Sequence, residues 1–205
     1  MFLHVLFLIG IAAEAMSAAL VAGRREMDWL GVCLVAFFTA LGGGTVRDVL
    51  LGRHPLTWVE HPSYLVLVVS AAMVTMLVAP MMKRLRTIFL ALDALGLVVF
   101  TVIGCNIARE MHLHWLIILV SGMITGTFGG ILRDVLCNRI PQLFRKELYA
   151  SVSLLTGGIY MASPHLGIDH DVGMVAAMLT GFTLRMLAIR HHWEMPKFVY
   201  KDDWD

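Results

Sequence analysis

One motif occurs twice in the chain, each time at the end of a long apolar stretch, and this arrangement constrains the fold more than any other feature. The first copy reads Gly-Gly-Gly-Thr-Val-Arg-Asp over residues 42–48, and the second reads Phe-Gly-Gly-Ile-Leu-Arg-Asp over 128–134, which is 86 residues later. Charged residues at membrane depth are tolerated mainly where they face protein or a water-filled cavity. Each copy therefore predicts a buried or pathway-lining polar site inside a membrane.

Seven segments are apolar enough and long enough to cross a bilayer, whose hydrocarbon core of about 30 Å needs about 20 residues of helix. Hydrophobic residues make up 59% of the chain and charged residues only 15%. The sequence therefore predicts an all-α integral membrane protein with seven transmembrane helices. We place these near residues 3–22, 29–51, 63–81, 87–107, 114–136, 147–163 and 171–190.

The duplication extends beyond the motif, because residues match at the same offset of 86 across two helices and the loop that follows them. Each unit holds three spans, an odd number, so the second unit must enter the membrane from the opposite side. Such inverted repeats build a site or pore at their interface. We predict a first repeat over 1–86, an inverted second repeat over 87–170, a seventh helix over 171–190 and a tail over 191–205. Matching pairs include Gly10 and Gly96, Trp29 and Trp115, Thr39 and Thr125, and Arg53 and Arg139.

The sixteen lysines and arginines are distributed unevenly between the two membrane faces that seven spans define, with thirteen on one face and three on the other. The positive-inside rule puts the richer face, which includes the C-terminus, in the cytoplasm, and the N-terminus outside. Short loops favour the bacterial inner membrane. The poorer face receives Arg47, Arg53 and Arg109. The richer face receives Arg24, Arg25, Lys83, Arg84, Arg86, Arg133, Arg139, Arg145, Lys146, Arg185, Arg190, Lys197 and Lys201.

The glycines of the two motifs predict breaks or kinks in the second and fifth helices. Where side-chain cover is lost, backbone carbonyls can turn toward water, and freed carbonyls are ligands for a dehydrated monovalent cation. The alternative is that the glycines let helices pack closely, as the spacing Gly122-x-x-x-Gly126 suggests. The candidate pore or kink glycines are Gly42, Gly43, Gly44, Gly126, Gly129 and Gly130.

The charged pairs Arg47/Asp48 and Arg133/Asp134 are candidates for pore charges or gates. Neighbours along a helix point in different directions, so we expect each charge to have a partner elsewhere in the fold. In a structural interpretation these charges lock helix ends across the repeat interface. In a functional interpretation the arginines tune or gate cation passage, with the aspartates as counter-charges. The two interpretations are compatible.

Two further acids, Glu14 and Asp93, lie inside apolar spans at positions that are not equivalent in the repeat. An acid inside the membrane indicates a functional site by default, and Glu14 could bind a cation, accept a proton or pair with a repeat arginine. Five hydroxyls near the same depth are possible pore residues, although membrane hydroxyls commonly bond to their own backbone. They are Ser17, Thr39, Ser121, Thr125 and Thr127.

Other classes of site are not indicated. The three cysteines have no Cys-x-x-Cys spacing, and the histidines lack the partner spacing of a metal site. Neither glycine motif reads as a phosphate-binding Gly-x-x-x-x-Gly-Lys-[Ser/Thr] loop, and no Ser/His/Asp arrangement can be placed. We therefore expect no enzyme, no metal, no cofactor and no nucleic-acid partner.

With Gly42-Gly43-Gly44 and Arg47-Asp48 in the second helix and Gly129-Gly130 and Arg133-Asp134 in the fifth, residues 1–190 resemble the prokaryotic trimeric intracellular cation (TRIC) channel family. That family is also described as a bacterial glycine-transporter-like domain family. The resemblance implies a homotrimer in the lipid bilayer, with one pore per protomer through the repeat interface. The implied permeant ions are potassium and other monovalent cations, and kinked second and fifth helices would line the pathway. Phe128, at the position of Gly42, departs from the triple glycine.

Two functions remain open at this point. The first is a passive channel for potassium or sodium. The second is a secondary transporter of glycine or another small neutral solute, for which inverted repeats with broken helices are equally suited and Glu14 is the proton-coupling candidate.

Overall fold

The computed structural model describes residues 2–81, 83–144 and 148–193, and the described residues are almost entirely helical. Three short 3-10 segments, Ala79–Met81, Gln142–Phe144 and Ser163–Leu166, extend or link the helices. The tail predicted over 191–205 lies, from residue 194 onward, outside the described residues. The α-helices are α1 (Phe2–Gly23), α2 (Trp29–Leu50), α3 (Thr57–Glu60), α4 (Ser63–Val78), α5 (Leu85–Glu110), α6 (Trp115–Leu136), α7 (Tyr149–Ala162) and α8 (His170–His191).

Six helical segments in the described part of the chain are long and apolar enough to cross a membrane: α1, α2, α4 with its 3-10 extension, α5, α6 and α8. Their bounds agree with six of the predicted spans to within three residues. The exception is α7, predicted over 147–163, which has only 14 residues. At 1.5 Å per residue it is about 21 Å long, less than the hydrocarbon thickness. The helical, multi-pass membrane architecture is confirmed, and a seventh full-length span is not.

The helices α2 and α6 begin and end in the same register of the 86-residue repeat. Each begins after a residue whose side chain accepts a backbone N–H of the first turn, Asp28 from Gly31 and His114 from Leu116. This is the usual way in which the free N–H groups of a helix start are satisfied. After each helix the backbone makes the same turn. The Arg53 N–H donates to the Asp48 carbonyl at 2.8 Å, and the equivalent Arg139 N–H donates to the Asp134 carbonyl at 2.7 Å.

At the centre of the fold α2 packs against α6 through reciprocal glycine contacts. A Cβ at Gly43 would collide with the backbone carbonyl of Thr125, and a Cβ at Gly129 would collide with that of Thr39. These four residues are two repeat-equivalent pairs, so the crossing is symmetric. Two side-chain-free positions let the helix backbones approach more closely than any larger residue would allow.

The expected break at the motif glycines is wrong, because α2 is continuous from Trp29 to Leu50 and α6 from Trp115 to Leu136. The physical reason is that each helix packs directly against the backbone of the other at these glycines. The glycines therefore allow close packing while the backbone hydrogen bonds of both helices stay intact. A bend without a break stays a prediction.

The remaining helices pack around this centre. Helix α1 crosses α5 and also contacts α2 and α4, while α7 lies between α5, α6 and α8. The α1–α5 crossing again uses repeat-equivalent glycines, Gly10 and Gly96, each of which faces a side chain of the other helix. The four helices α1, α2, α5 and α6 thus form the core from which the buried charges project.

Candidate functional site

The first motif forms a polar cluster at the end of α2, here called the α2-end cluster and consisting of Arg47, Asp48, Arg53 and Thr57. Asp48 is its centre: its Oδ1 accepts from Arg47 Nη2 at 2.8 Å and lies 3.5 Å from Arg53 Nη1. Its Oδ2 accepts from the Thr57 hydroxyl at 2.8 Å and from the Thr57 backbone N–H at 3.2 Å. One buried carboxylate thus gathers two arginines and the start of α3.

The second motif forms a larger cluster at the end of α6. Arg133 is its centre: Nη1 donates to Asp93 Oδ1 at 2.6 Å and to the Ser17 hydroxyl at 3.2 Å, and Nε donates to Asp134 Oδ1 at 3.1 Å. The guanidinium also lies 4.8 Å from the centre of the Phe89 ring, a cation–π contact. This set is called the α6-end cluster and consists of Glu14, Ser17, Asp93, Arg133, Asp134 and Tyr149.

The expectation that neighbouring Arg and Asp point apart is wrong for both motifs, since each arginine binds the aspartate next to it. Each guanidinium folds back over the glycine three residues earlier. A Cβ at Gly44 or Gly130 would lie 3.6 Å from the Nη2 atom of the motif's own arginine, an ordinary contact distance. The partners predicted elsewhere in the fold are present as well, in Asp93 for Arg133 and in Thr57 for Asp48.

The two acids outside the motifs both belong to the α6-end cluster. Asp93 is fully buried and pairs with Arg133, whereas Glu14, 1% exposed, has no Lys or Arg nitrogen within 4 Å among the described residues. The Oε2 atom of Glu14 accepts only a long hydrogen bond, 3.4 Å, from the Ser17 hydroxyl. The prediction that Glu14 pairs directly with a repeat arginine is therefore wrong. Glu14 and Arg133 are connected through the Ser17 hydroxyl instead.

The repeat equivalents of these two acids are aromatic. Phe100 stands at the position of Glu14 and Phe7 at that of Asp93, and their rings meet edge to face with centroids 5.9 Å apart. One end of the α1–α5 crossing thus brings two acids into one cluster, and the other end brings two phenylalanines together. The duplicated scaffold therefore carries different chemistry in its two halves.

The five candidate hydroxyls have backbone acceptors. Thr39, Thr125 and Thr127 each donate to the carbonyl four residues earlier, at 2.7 Å, and Ser121 donates across to the Gly104 carbonyl at 3.0 Å. Ser17 donates to the Glu14 carbonyl at 3.1 Å but also accepts from Arg133. Four of the five hydroxyls bond to their own helix backbone, Ser121 bonds to the backbone of α5 instead, and Ser17 alone among the five joins a charged cluster.

The other candidate glycines are packing positions too. A Cβ at Gly42 would collide with Leu132, and one at Gly126 with Thr101 and the Leu97 carbonyl of α5. Gly122 likewise faces the Thr101 carbonyl, as the Gly-x-x-x-Gly alternative predicted. The glycines therefore assemble the four-helix core that holds the charges.

Sequence reasoning missed Tyr149, Arg185 and Gln142 in this region. Tyr149 is buried, and its hydroxyl donates to Asp93 Oδ1 at 3.4 Å. Arg185, counted above among the basic residues of one membrane face, is fully buried on α8, where its guanidinium lies 4.8 Å from the Tyr149 ring centre. It donates to Gln142 Oε1 at 3.1 Å. A signal for Arg185 was available, namely a charge well inside an apolar segment.

No group of three or more His, Cys, Asp or Glu side chains in the described ranges could hold a metal ion. Cys137, which follows the last residue of α6, is 1% exposed, and burial raises the pKa of its thiol. This thiol is therefore a packing group at neutral pH.

Comparison with known proteins decides the family. A family model described as "Glycine transporter" matches twice, over residues 4–80 and 90–165, and the two matches begin 86 residues apart. A TRIC channel orthologue from Rhodobacter sphaeroides has the same fold, with a TM-score of 0.89 and 34% identity over 93% of this chain and 98% of that one. The chain belongs to the prokaryotic TRIC channel family. A prokaryotic TRIC channel crystallised in 0.5 M KCl is also similar, with a TM-score of 0.87 and 33% identity over 95% of this chain and 99% of the other.

Relatives known from sequence are UPF0126 membrane proteins. The inner membrane protein YadS of Escherichia coli K12, assigned to UPF0126, is 36% identical over 99% of both chains. A UPF0126 membrane protein of Vibrio cholerae is 36% identical over 96% of this chain and 83% of its own. A TRIC channel from C. elegans, 13% identical with a TM-score of 0.62, shares the fold alone.

Proposed function

We propose that this protein is a homotrimeric, potassium-permeable cation channel with one pathway per protomer, between α1, α2, α5 and α6. The observation that carries the proposal is the likeness, over nearly the whole chain, to solved structures described as TRIC cation channels. The buried charges add support, because two polar clusters project from these same four helices inside an otherwise apolar fold. Intramembrane charges of this kind commonly mark ion pathways.

The proposed membrane arrangement has seven spans in two inverted repeats, over 1–86 and 87–170, and a seventh helix over 171–190. Helix α7 and the 3-10 segment that follows it together extend about 29 Å, which suffices for the sixth span. Removing the buried Arg133 and Arg185 from one face and Arg47 from the other leaves eleven basic residues against two. This supports an external N-terminus and a cytoplasmic C-terminus in a bacterial inner membrane. A reporter fused to the C-terminus tests the orientation.

The test of the proposed function is electrical. Purified protein in a planar bilayer, under a gradient of KCl, is expected to give stepwise currents that reverse near the potassium equilibrium potential. Currents that reverse near the chloride potential would contradict a cation channel. The subunit count is checked independently by the mass of the detergent-solubilised complex.

The second candidate is a coupled transporter of glycine or another small neutral solute. The observation that favours it is the description of the matching family model, "Glycine transporter". Absence of currents from protein that is shown to be inserted, together with uptake of labelled glycine into proteoliposomes, would establish this alternative in place of the channel.

A further inference from the structure

The α6-end cluster contains three buried carboxylates, and they share one directly bound guanidinium. Asp93 and Asp134 both bind Arg133, at 2.6 and 3.1 Å, and Glu14 binds no cationic side chain among the described residues. All three acids are at most 1% exposed. A buried charge without a counter-charge is strongly unfavourable. The cluster is therefore short of positive charge at Glu14.

One oxygen of this cluster is also without a hydrogen bond. Asp93 is fully buried, and within the described ranges its Oδ2 atom has no donor, although Oδ1 accepts from both Arg133 and Tyr149. Buried polar atoms are nearly always satisfied in folded proteins, so this oxygen needs a partner, and an ordered water or a bound ion would each provide one. Within the described ranges Arg133 Nη2 likewise has no acceptor. Asp93 and Glu14 belong to the same group around Arg133. Asp93 binds the arginine directly, and the Ser17 hydroxyl connects the arginine to Glu14.

We propose that Glu14 and Asp93, together with the Ser17 hydroxyl, form a binding site for a monovalent alkali cation, of which K⁺ is the example to test. This inference rests on the proposed channel function and names the site that selects its ion. Carboxylate and hydroxyl oxygens are hard ligands, which alkali ions prefer.

The backbone explains why the site can form where it does. A Cβ at Gly96 would collide with the Glu14 carboxyl group, so only glycine at this position lets the acid of α1 reach α5. At the equivalent position, Gly10 faces Val99 and Phe100 instead. The cation site therefore exists in one half of the repeat, and the other half provides a matched uncharged control.

Other ionisable groups lie near the site on α6, α7 and α8. Arg133 and Asp134 face it from α6, Tyr149 from α7, and Arg185 of α8 lies over the Tyr149 ring. Arg133 offsets one of the three carboxylates, so the cluster keeps a net negative charge for a cation to balance. The choice of a monovalent ion follows from the proposed channel function.

The first experiment measures the thermal unfolding midpoint of the purified full-length protein while K⁺ replaces N-methyl-D-glucamine at constant ionic strength. A bound ion stabilises the folded state by mass action, so the midpoint should rise with K⁺ and then saturate. Glu14→Gln keeps the size of the side chain and breaks no ion pair. We expect it to weaken the apparent K⁺ affinity about tenfold or more. Phe100→Leu, at the equivalent uncharged position, should retain the wild-type response.

A second measurement separates a bound alkali ion from a bound proton. Infrared difference spectra of K⁺ exchange should show a shifted carboxylate band that Glu14→Gln removes. A protonated carboxylic acid band that disappears in Glu14→Gln but does not respond to K⁺ would overturn the proposal. An unchanged K⁺ response in folded Glu14→Gln would overturn it as well.

The two proposals can fail separately. If the wild-type protein conducts K⁺ but its stability does not respond to K⁺, the cation site is wrong and the channel stands. If K⁺ stabilises the wild-type protein through Glu14 but no current is found, the site stands and the channel function is wrong.

Discussion

The α2-end and α6-end clusters stand on equivalent helices, yet they differ in the balance of their charges. In the first, Asp48 is a single carboxylate satisfied by Arg47, Arg53 and Thr57. In the second, Arg133 is the one guanidinium among the described residues that directly contacts the acids, and one of three carboxylates is left without it. The two halves therefore share a scaffold of equivalent glycines and helix bounds but differ in their buried charges, and this difference gives them different chemistry.

The largest effects are expected where the two halves are most alike, at Gly43 and Gly129. Alanine at either position would place a Cβ against a backbone carbonyl of the facing helix, which cannot move without separating α2 from α6. We expect each variant to lose about 1–3 kcal/mol or more of stability, by overpacking. The thermal unfolding midpoint in detergent measures this.

Gly158→Ala is the matched control, because its Cβ would meet nothing within 4 Å. If Gly43→Ala unfolds at the control's temperature but no longer transports, the close-packing account of the motif glycines is wrong and a flexible break is supported instead.

The next effect distinguishes the two arginines. Arg133→Gln removes the guanidinium that binds Asp93 and should destabilise the protein by about 3–5 kcal/mol, as expected when one member of a buried ion pair is deleted. Arg47→Gln leaves Asp48 with Arg53 and with two donors from Thr57, so its cost should be clearly smaller. Denaturant unfolding of both variants checks the order, and equal costs would contradict the proposed difference between the clusters.

Some features of the fold could be predicted from the sequence, and others depend on contacts that form only in three dimensions. Helix bounds and the repeat were predictable, because length, apolarity and an offset of 86 are properties of the chain itself. The pairing of Arg47 with its neighbour was not, since it depends on a guanidinium folding over Gly44 in three dimensions.

The composition of the α6-end cluster was only partly predictable. Glu14 and Asp93 were identified as unusual acids, but their meeting depends on the crossing at Gly96, which no spacing along the chain reveals. Tyr149 could not be found, because a tyrosine near the end of an apolar segment is ordinary at a membrane interface. The continuity of α2 and α6 was mispredicted for a similar reason, since the same glycines suit either a break or a close helix contact.

A smaller effect is expected at the glycines that precede each arginine by three residues. A Cβ at Gly130 would lie 2.8 Å from the Tyr149 hydroxyl oxygen, whereas the nearest atom to a Cβ at Gly44 is 3.6 Å away, an ordinary contact. Gly130→Ala should therefore lower stability by about 1 kcal/mol and Gly44→Ala by less. Comparison of their unfolding midpoints measures the asymmetry, which Tyr149→Phe in the Gly130→Ala background should reduce.

The smallest effect is expected at Arg53, whose side chain is 35% exposed at the rim of the α2-end cluster. Arg53→Gln removes a positive charge near the proposed pathway and should raise the potassium current by less than about twofold. The increase should shrink at high salt, because screening weakens the field of a partly exposed charge. Single-channel conductance at low and high KCl gives the comparison, and a lower conductance in the variant would place Arg53 outside the pathway.

The most direct test of the account compares the reversal potential of wild-type and Glu14→Gln currents across the same KCl gradient. If the acid-rich α6-end cluster selects cations, wild-type currents reverse near the potassium equilibrium potential and Glu14→Gln currents move toward zero. Identical reversal potentials for the two proteins would contradict the central claim that the difference between the clusters determines which ion passes.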